Sequence, residues 1–318
     1  MSGTTASNEK KEIARYRSVP DLFRVLCWVA SVLTVVILAW IGYEIFSQAW
    51  PAIKKFGLNF ITGTAWTPGR QVFGVLPFLI GTAASSVIAL LIAFPLGISI
   101  AIFLSEDFLP VSIRQAIRFV VELLASIPSV VYGLWGIFVV VPLVQQYGTI
   151  LSKYLGFIPL FEGPAFGNSL LTASIVLALM VLPTITAISR NAFVSTPATL
   201  REGAYALGAT RWEAILGVIF PAAAPGVVAA TILAFGRAMG ETMAVAMLIG
   251  NSPRLTWSLL SPSGTLAGLL ANQFAEADGM QINALMYAAL LLVILTLGVN
   301  MLGEVVLRYT QKRTAGIN

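Results

Sequence analysis

The sequence predicts an all-α membrane protein with six spanning helices, and three observations carry that prediction. Charge is scarce: 19 Lys plus Arg and 14 Asp plus Glu make up only 10% of 318 residues, against about 25% in an ordinary soluble domain. Apolar residues supply 58% of the chain and the mean hydropathy is +0.87, so a soluble fold of this length would lack the polar side chains to coat its core. Six stretches reach the ~20 mostly apolar residues that a helix needs to cross hydrocarbon. Composition also removes whole classes of chemistry. Histidine is absent, which excludes haem ligation, His-based zinc sites and His general bases. The single cysteine, Cys27, cannot form an internal disulfide or a Cys-cluster metal site, and reads as a small core or lipid-facing residue.

The expected spans are Leu22–Phe46, Val75–Leu104, Phe119–Val144, Ser169–Ile188, Ala222–Ile249 and Ala284–Leu307. Each must be helical, because lipid offers no partner to an unpaired backbone group. The first, residues 22–46, is an apolar run of 25 residues. That length is well past the roughly 7–15 of a signal-peptide core, so it reads as a retained helix although Ser47-Gln48-Ala49 resembles a cleavage site. Residues 1–21 form a tail before it. Residues 47–74 form an interfacial loop carrying Trp50, Phe56, Phe60 and Trp66 among Pro and Gly, as segments at a membrane surface do. Residues 75–308 make a core of five spans, and 309–318 a C-terminal tail. In the second long outer loop, 251–283, Leu266, Leu269, Leu270 and Phe274 fall at helical spacing and predict a short amphipathic helix. These two loops either plug the outer rim of the bundle or present a docking surface, and spacing does not choose between them.

Orientation follows from basic residues beside the spans. One side holds 13 of the 19: Lys10, Lys11, Arg15, Arg17 and Arg24, then Arg114 and Arg118, then Arg190, Arg201 and Arg211, then Arg308, Lys312 and Arg313. The other side holds Lys54, Lys55, Arg70, Lys153 and Arg254. Both termini are therefore expected in the cytoplasm. The net charge of +5 is a topology signal rather than a nucleic-acid patch.

The longest inner loop, 191–221, has a readable design. Thr196 is the expected N-cap with Pro197 at the first helical position. The helix runs to Leu207, and Gly208 supplies the left-handed residue that ends it. Thr210 and Glu213 form a T-x-x-E capping box that starts a second helix, expected to stop where Pro221 leads into the fifth span. Leu200, Ala204 and Leu207 line one face of the first helix; Trp212, Ile215, Leu216 and Ile219 line one face of the second. Such a hairpin either rests on the chain's own inner ends or seeks a partner's groove.

The run E-G-A-Y-A-L-G-A-T-R-W-E-A-I-L-G-V-I-F-P, Glu202–Pro221, resembles the EAA loop of ABC-importer permeases, whose pattern is E-A-A, three residues, Gly, nine residues, then I-x-L-P. Glu202, Ala204, Gly208 and Pro221 match; Gly203 replaces Ala, Val218 replaces Ile and Phe220 replaces Leu. Gly203 costs the first helix about 1 kcal/mol relative to Ala. The resemblance implies a type I permease of six helices, with a cytoplasmic coupling helix between the fourth and fifth spans that docks on an ATPase subunit. The chain itself contains no G-x-x-x-x-G-K-[ST]. No cofactor is expected on it, and ATP and Mg²⁺ belong to the partner ATPase.

Arg237 falls within the expected fifth span, with Glu241 four residues on. On a continuous helix both would share a face. A lone Arg at the bilayer centre costs about 2.5–3.5 kcal/mol on insertion scales, and charges at this depth mark ion pathways. Gly236 and Gly240 flank the pair and permit close approach of a helix or a ligand. The pair either pins two spans together or forms an anion site. The string G-R-A-M-G-E-T-M-A-V around it resembles the phosphate-importer permeases. So do E-L-L-A-S-I-P-S-V-V-Y-G-L-W-G at Glu122–Gly136, G-P-A-F-G at Gly163–Gly167, W-P-x-I-x-K-F-G at Trp50–Gly57 and A-N-Q-F-A-E-A at Ala271–Ala277. This likeness spans about residues 22–310. It implies an ATP-driven phosphate importer in a bacterial inner membrane, in which this chain joins a sister permease, two ATPase subunits and a periplasmic phosphate-binding protein. Arg237 and Glu241 match the charged pair that the family associates with phosphate passage.

A guanidinium can grip phosphate oxygens in bidentate fashion, and Glu241 would release the ion by competing for Arg237. Tyr132, beside the helix breakers Pro128 and Gly133, is a further candidate donor to an anion. Arg118 and Glu122 read as a pair at a helix end. A permease for sulfate, molybdate or phosphonate would keep the loop without needing the Arg–Glu pair. A proton-coupled carrier using Glu241 would need no ATPase. An intramembrane enzyme is disfavoured, because no nucleophile–base pair or metal cluster is available.

Overall fold

The computed structural model describes residues 3–106 and 108–315, with side chains for 22–106 and 108–312. Lys10, Lys11, Arg15, Arg17 and Arg313 lie outside the described side chains. Among the described residues, six helical segments are long and apolar enough to cross a membrane. They lie within a nearly all-helical chain with one two-stranded sheet.

Helix α1, Gly3–Phe56, carries the first span. It continues ten residues past the expected end at Phe46, straight through Pro51. The proline forfeits one ladder bond, and the helix persists because its outer end buries Ala49 and Ala52 in a cluster on that side of the molecule. From Leu22 to about Phe46 its side chains are exposed almost all round, as befits a helix that lipid rather than protein surrounds. A short helix α2 (Asn59–Thr62) and a hairpin of β1 (Trp66–Thr67) and β2 (Val72–Phe73), paired antiparallel with Trp66 opposite Phe73, fold the outer loop back. Phe60 stacks on Tyr287 with ring centroids 4.4 Å apart, and Trp66 donates from Nε1 to Gln273 Oε1 at 2.8 Å. The two outer loops thus pack on each other as a cap over the rim.

Helix α3, Leu76–Ser105, is the second span. The third is broken at Pro128, one of its two expected breakers, and its bounds differ from Phe119–Val144. An amphipathic helix α4 (Val111–Ser126) ends at Ile127, whose backbone turns extended before Pro128. Proline excludes the helical conformation from the residue preceding it. The span then restarts as α5 (Ser129–Trp135), a π turn (Gly136–Val140) and α6 (Val141–Leu155). Helix α7, Leu170–Val194, is the fourth span and the centre of the bundle, with 67% of its most apolar stretch buried. It packs along α3, where Gly97 lets Ile185 approach so closely that an added Cβ would sit 2.9 Å from it.

Helix α8 (Ala198–Ala206) and α9 (Arg211–Ala214) form the inner hairpin. Through a π turn at Ile215–Ile219, α9 runs on into α10, Phe220–Met239. The helix therefore does not stop at Pro221. A π turn shifts the hydrogen-bond register just before the proline, where no N–H is on offer. The same device precedes Pro142 in the third span. The fifth span ends at Met239 rather than Ile249. Gly240–Thr242 breaks it, and α11 (Met243–Leu248) follows. Outside lies α12, Leu266–Gln273, capped by Thr265 and burying Leu266 and Leu269, which matches the expected amphipathic segment. The last span belongs to α13, Gly279–Ala315.

Candidate functional site

Two features of the chain carry its candidate chemistry. The first is the hairpin. Helix α8 begins at Ala198 with Pro197 as its N-cap residue and no side-chain cap; Thr196, expected to cap it, turns its hydroxyl back to the Ala192 carbonyl at 3.3 Å. Its far end is closed as the sequence predicts. Gly208 takes φ +83°, while the Gly208 and Ala209 N–H groups donate to the Tyr205 and Ala204 carbonyls at 2.9 and 3.1 Å, a complete Schellman motif. The capping box is present: Thr210 N donates to Glu213 Oε2 at 2.7 Å and Glu213 N to Thr210 Oγ1 at 3.4 Å. These two motifs hold α8 and α9 at a fixed angle.

The hairpin has an inward and an outward face. Ala204, Ala214, Ile215 and Ile219 are buried against this chain. Glu202, Gly203 and Pro221 are exposed, and Leu207, at the tip, is 91% exposed. Leu207 and Leu216, expected to share apolar faces with the buried residues, point away from them. An apolar side chain held out at a capped turn suits insertion into a partner's groove.

The hairpin is fastened from inside by contacts that no spacing rule announces. Arg201 donates to the Phe193 carbonyl at the end of α7 at 2.8 Å and pairs with Glu106, just past α3, at 2.9 Å. Trp212 stacks on Phe108 with centroids 5.2 Å apart. Glu106, Phe108 and the pairing role of Arg201 were invisible in the sequence, because their partners lie far along the chain.

The second feature surrounds Arg237. This residue occupies the last turn of α10, not mid-helix, and is exposed. The negative end of the helix dipole favours a cation there. Its Nη1 donates to Thr184 Oγ1 on α7 at 3.3 Å, the one hydrogen bond it makes among the described residues. The guanidinium has five N–H donors, so most are left without a partner among the described residues. Glu241 sits in the break beyond α10, partly buried. Among the described residues no ion pair joins it to Arg237, contrary to the expected one-turn pairing. The cause is local: the helix terminates at Gly240, so the spacing of four residues no longer stacks the two side chains. Gly236 faces α13, where an added Cβ would meet Asn300 Oδ1 at 2.9 Å, so it serves helix packing. Tyr132 is buried and its hydroxyl donates to the Leu124 carbonyl at 2.8 Å. It staples α5 to α4 across the Pro128 break, with its only proton on the Leu124 carbonyl.

Comparison with known proteins places this helical bundle. Residues 93–316 match the family described as "Binding-protein-dependent transport system inner membrane component". The "Phosphate transport system permease protein PstC" of Mesorhizobium japonicum is 40% identical over 297 residues, covering 91% of this chain and 90% of the relative. Its namesake from Haemophilus influenzae is 40% identical over 299 residues, covering 92% and 95%. Among solved structures, the inward-facing MetNI methionine ABC transporter superposes with a TM-score of 0.55 at 18% identity over 74% of this chain and 95% of that chain. A bacterial ABC transporter that imports alginate does so with 0.52 at 14% identity over 87% and 98%. The fold is thus that of an ABC-importer permease, and the chain belongs to the family of binding-protein-dependent transport system inner membrane components.

Proposed function

We propose that this chain is the membrane permease subunit of an ATP-driven importer of inorganic phosphate, a transport subunit without a reaction centre of its own. The observation that carries the reading is an exposed guanidinium at a helix break, Arg237, in a chain 40% identical to phosphate permeases over nine tenths of its length. Membership of the family implies an ATPase and a substrate-binding protein as partners. The finer assembly proposed is a sister permease, two ATPase subunits carrying ATP and Mg²⁺, and a periplasmic phosphate-binding protein, in a bacterial inner membrane with both termini cytoplasmic.

In this reading the ATPase subunits grip the exposed tip around Leu207 and, on closing, drag the α8–α9 hairpin. Two rigid caps support transmission of that pull without collapse of the hairpin. Arg237 offers most of its donors to phosphate oxygens, and its exposure limits how tightly it holds them, as passage requires. Glu241, held apart in the Gly240–Thr242 break, competes for Arg237 once the anion moves inward.

The test is radiolabelled phosphate uptake into proteoliposomes holding the complete complex, with ATP enclosed and the binding protein outside. Uptake should need ATP, survive collapse of the proton gradient, and resist excess sulfate, molybdate or phosphonate. Competition by one of those oxyanions would reassign the substrate, and loss with the proton gradient would point instead to a carrier using Glu241. Reporter fusions at both ends, active only in the cytoplasm, check the orientation.

A further inference from the structure

Glu106 and Arg201 are the one described ion pair that is largely withdrawn from water, with side chains 11% and 24% exposed. It joins the inner end of α3 to the start of the hairpin. Taking two such charges out of water costs several kcal/mol apiece, and a buried pair rarely repays this in stability. This one is not built for strength. The contact at 2.9 Å lies off the axis of a hydrogen bond, and among the described residues neither Glu106 Oε1 nor Arg201 Nε completes one. What the pair does provide is position. Arg201 also donates to the Phe193 carbonyl of α7, so one side chain on α8 touches the inner ends of both α3 and α7. Beside it, Trp212 of α9 stacks on Phe108, and the Arg211 guanidinium lies 5.9 Å from the same ring. A cleft of about 250 Å³ lined by Glu106, Arg201, Tyr205 and Arg211 separates hairpin from bundle at this point, leaving room for the two to shift.

From there the path to Arg237 is continuous. Helix α3 is locked to α7 where Ile185 fills the space over Gly97 and Thr186 donates to the Gly97 carbonyl at 3.3 Å. Thr184, the neighbour of Ile185, holds Arg237.

We propose that the Glu106–Arg201 pair is the latch through which hairpin displacement reaches α3 and α7, so that both residues are positioning residues for coupling nucleotide hydrolysis to passage of the anion. The proposal rests on the reading of this chain as an ATP-driven phosphate permease. A pair that merely braces the fold would lower uptake and hydrolysis together, whereas a latch sets the ratio between them.

The experiment measures phosphate taken up per ADP formed in proteoliposomes of the complete complex, for wild type, Glu106→Gln, and the charge swap Glu106→Arg with Arg201→Glu. Assembly is read by co-purification. With Glu106→Gln the ratio should fall about tenfold, within the usual range of coupling between sites, while ADP formation stays within about twofold of wild type. The swap restores the ion pair to the end of α3 but not the Arg201 donor to the Phe193 carbonyl, so it should recover part of the ratio. An unchanged ratio in Glu106→Gln overturns the latch. So does a swap that assembles but couples no better than the single variant, or failure of both variants to assemble. Absence of ATP-dependent uptake with the wild-type chain would instead overturn the import reading and the latch with it.

Discussion

Arg237 shows how one side chain's role depends on where its helix stops. Within a longer helix it would be a desolvated charge in need of Glu241. In the last turn of α10 it is exposed, supported by the helix end and held by Thr184. Replacing it with Gln should abolish phosphate uptake while assembly and ATP hydrolysis persist, and normal uptake by that variant would remove Arg237 from the pathway. Thr184→Val keeps the shape of the side chain and deletes the acceptor. Loss of this single hydrogen bond is expected to cost about fivefold in uptake, the equivalent of ~1 kcal/mol. A variant as inactive as the Arg237 replacement would mean that Thr184 itself meets the ion. Tyr132 carries the opposite lesson: a phenol beside helix breakers looked available, and its hydroxyl is spoken for by Leu124.

The hairpin is where single elements were most legible, because caps are local chemistry. Gly208 at φ +83° and the Thr210–Glu213 box needed no tertiary information. Gly208→Ala forces a Cβ into the left-handed region and should destabilise the turn by about 1–2 kcal/mol, seen as faster proteolysis between α8 and α9. Gly203→Ala is the complementary case. An added Cβ there meets nothing within 4 Å, so the substitution should stabilise α8 by up to about 1 kcal/mol and slow the same cleavage. Faster cleavage of Gly203→Ala would show that α8 must yield during the cycle. The misplaced boundaries share a cause. Pro51 and Pro221 lie inside helices that a sequence pattern ends, whereas Pro128 does break one. Which outcome a proline takes depends on whether packing or a π turn makes good the missing N–H, and that is settled by neighbours in space.

At the scale of the molecule, an outer cap and an inner hairpin bracket a bundle built around α7. Phe60, fully buried and stacked on Tyr287, ties α2 to α13. Phe60→Ala should cost about 3–5 kcal/mol, read as a lower thermal midpoint of the purified complex, with the inner hairpin's protease pattern unchanged. A change in that pattern would show the two ends to be one cooperative unit. The sequence alone determined that the chain has six helices apolar enough to span a membrane, where they lie to within about eleven residues, and that a capped helical hairpin follows the fourth of them. These follow from apolar run length, charge placement and turn chemistry, all of which act over a few neighbouring residues. Only the tertiary structure decided that Arg237 and Glu241 stand apart, that Tyr132 is occupied, and that Glu106 and Phe108 fasten the hairpin. Each of those depends on which residue, from a distant part of the chain, supplies a carbonyl, a ring or an opposite charge at contact distance, and no periodicity along the chain encodes that.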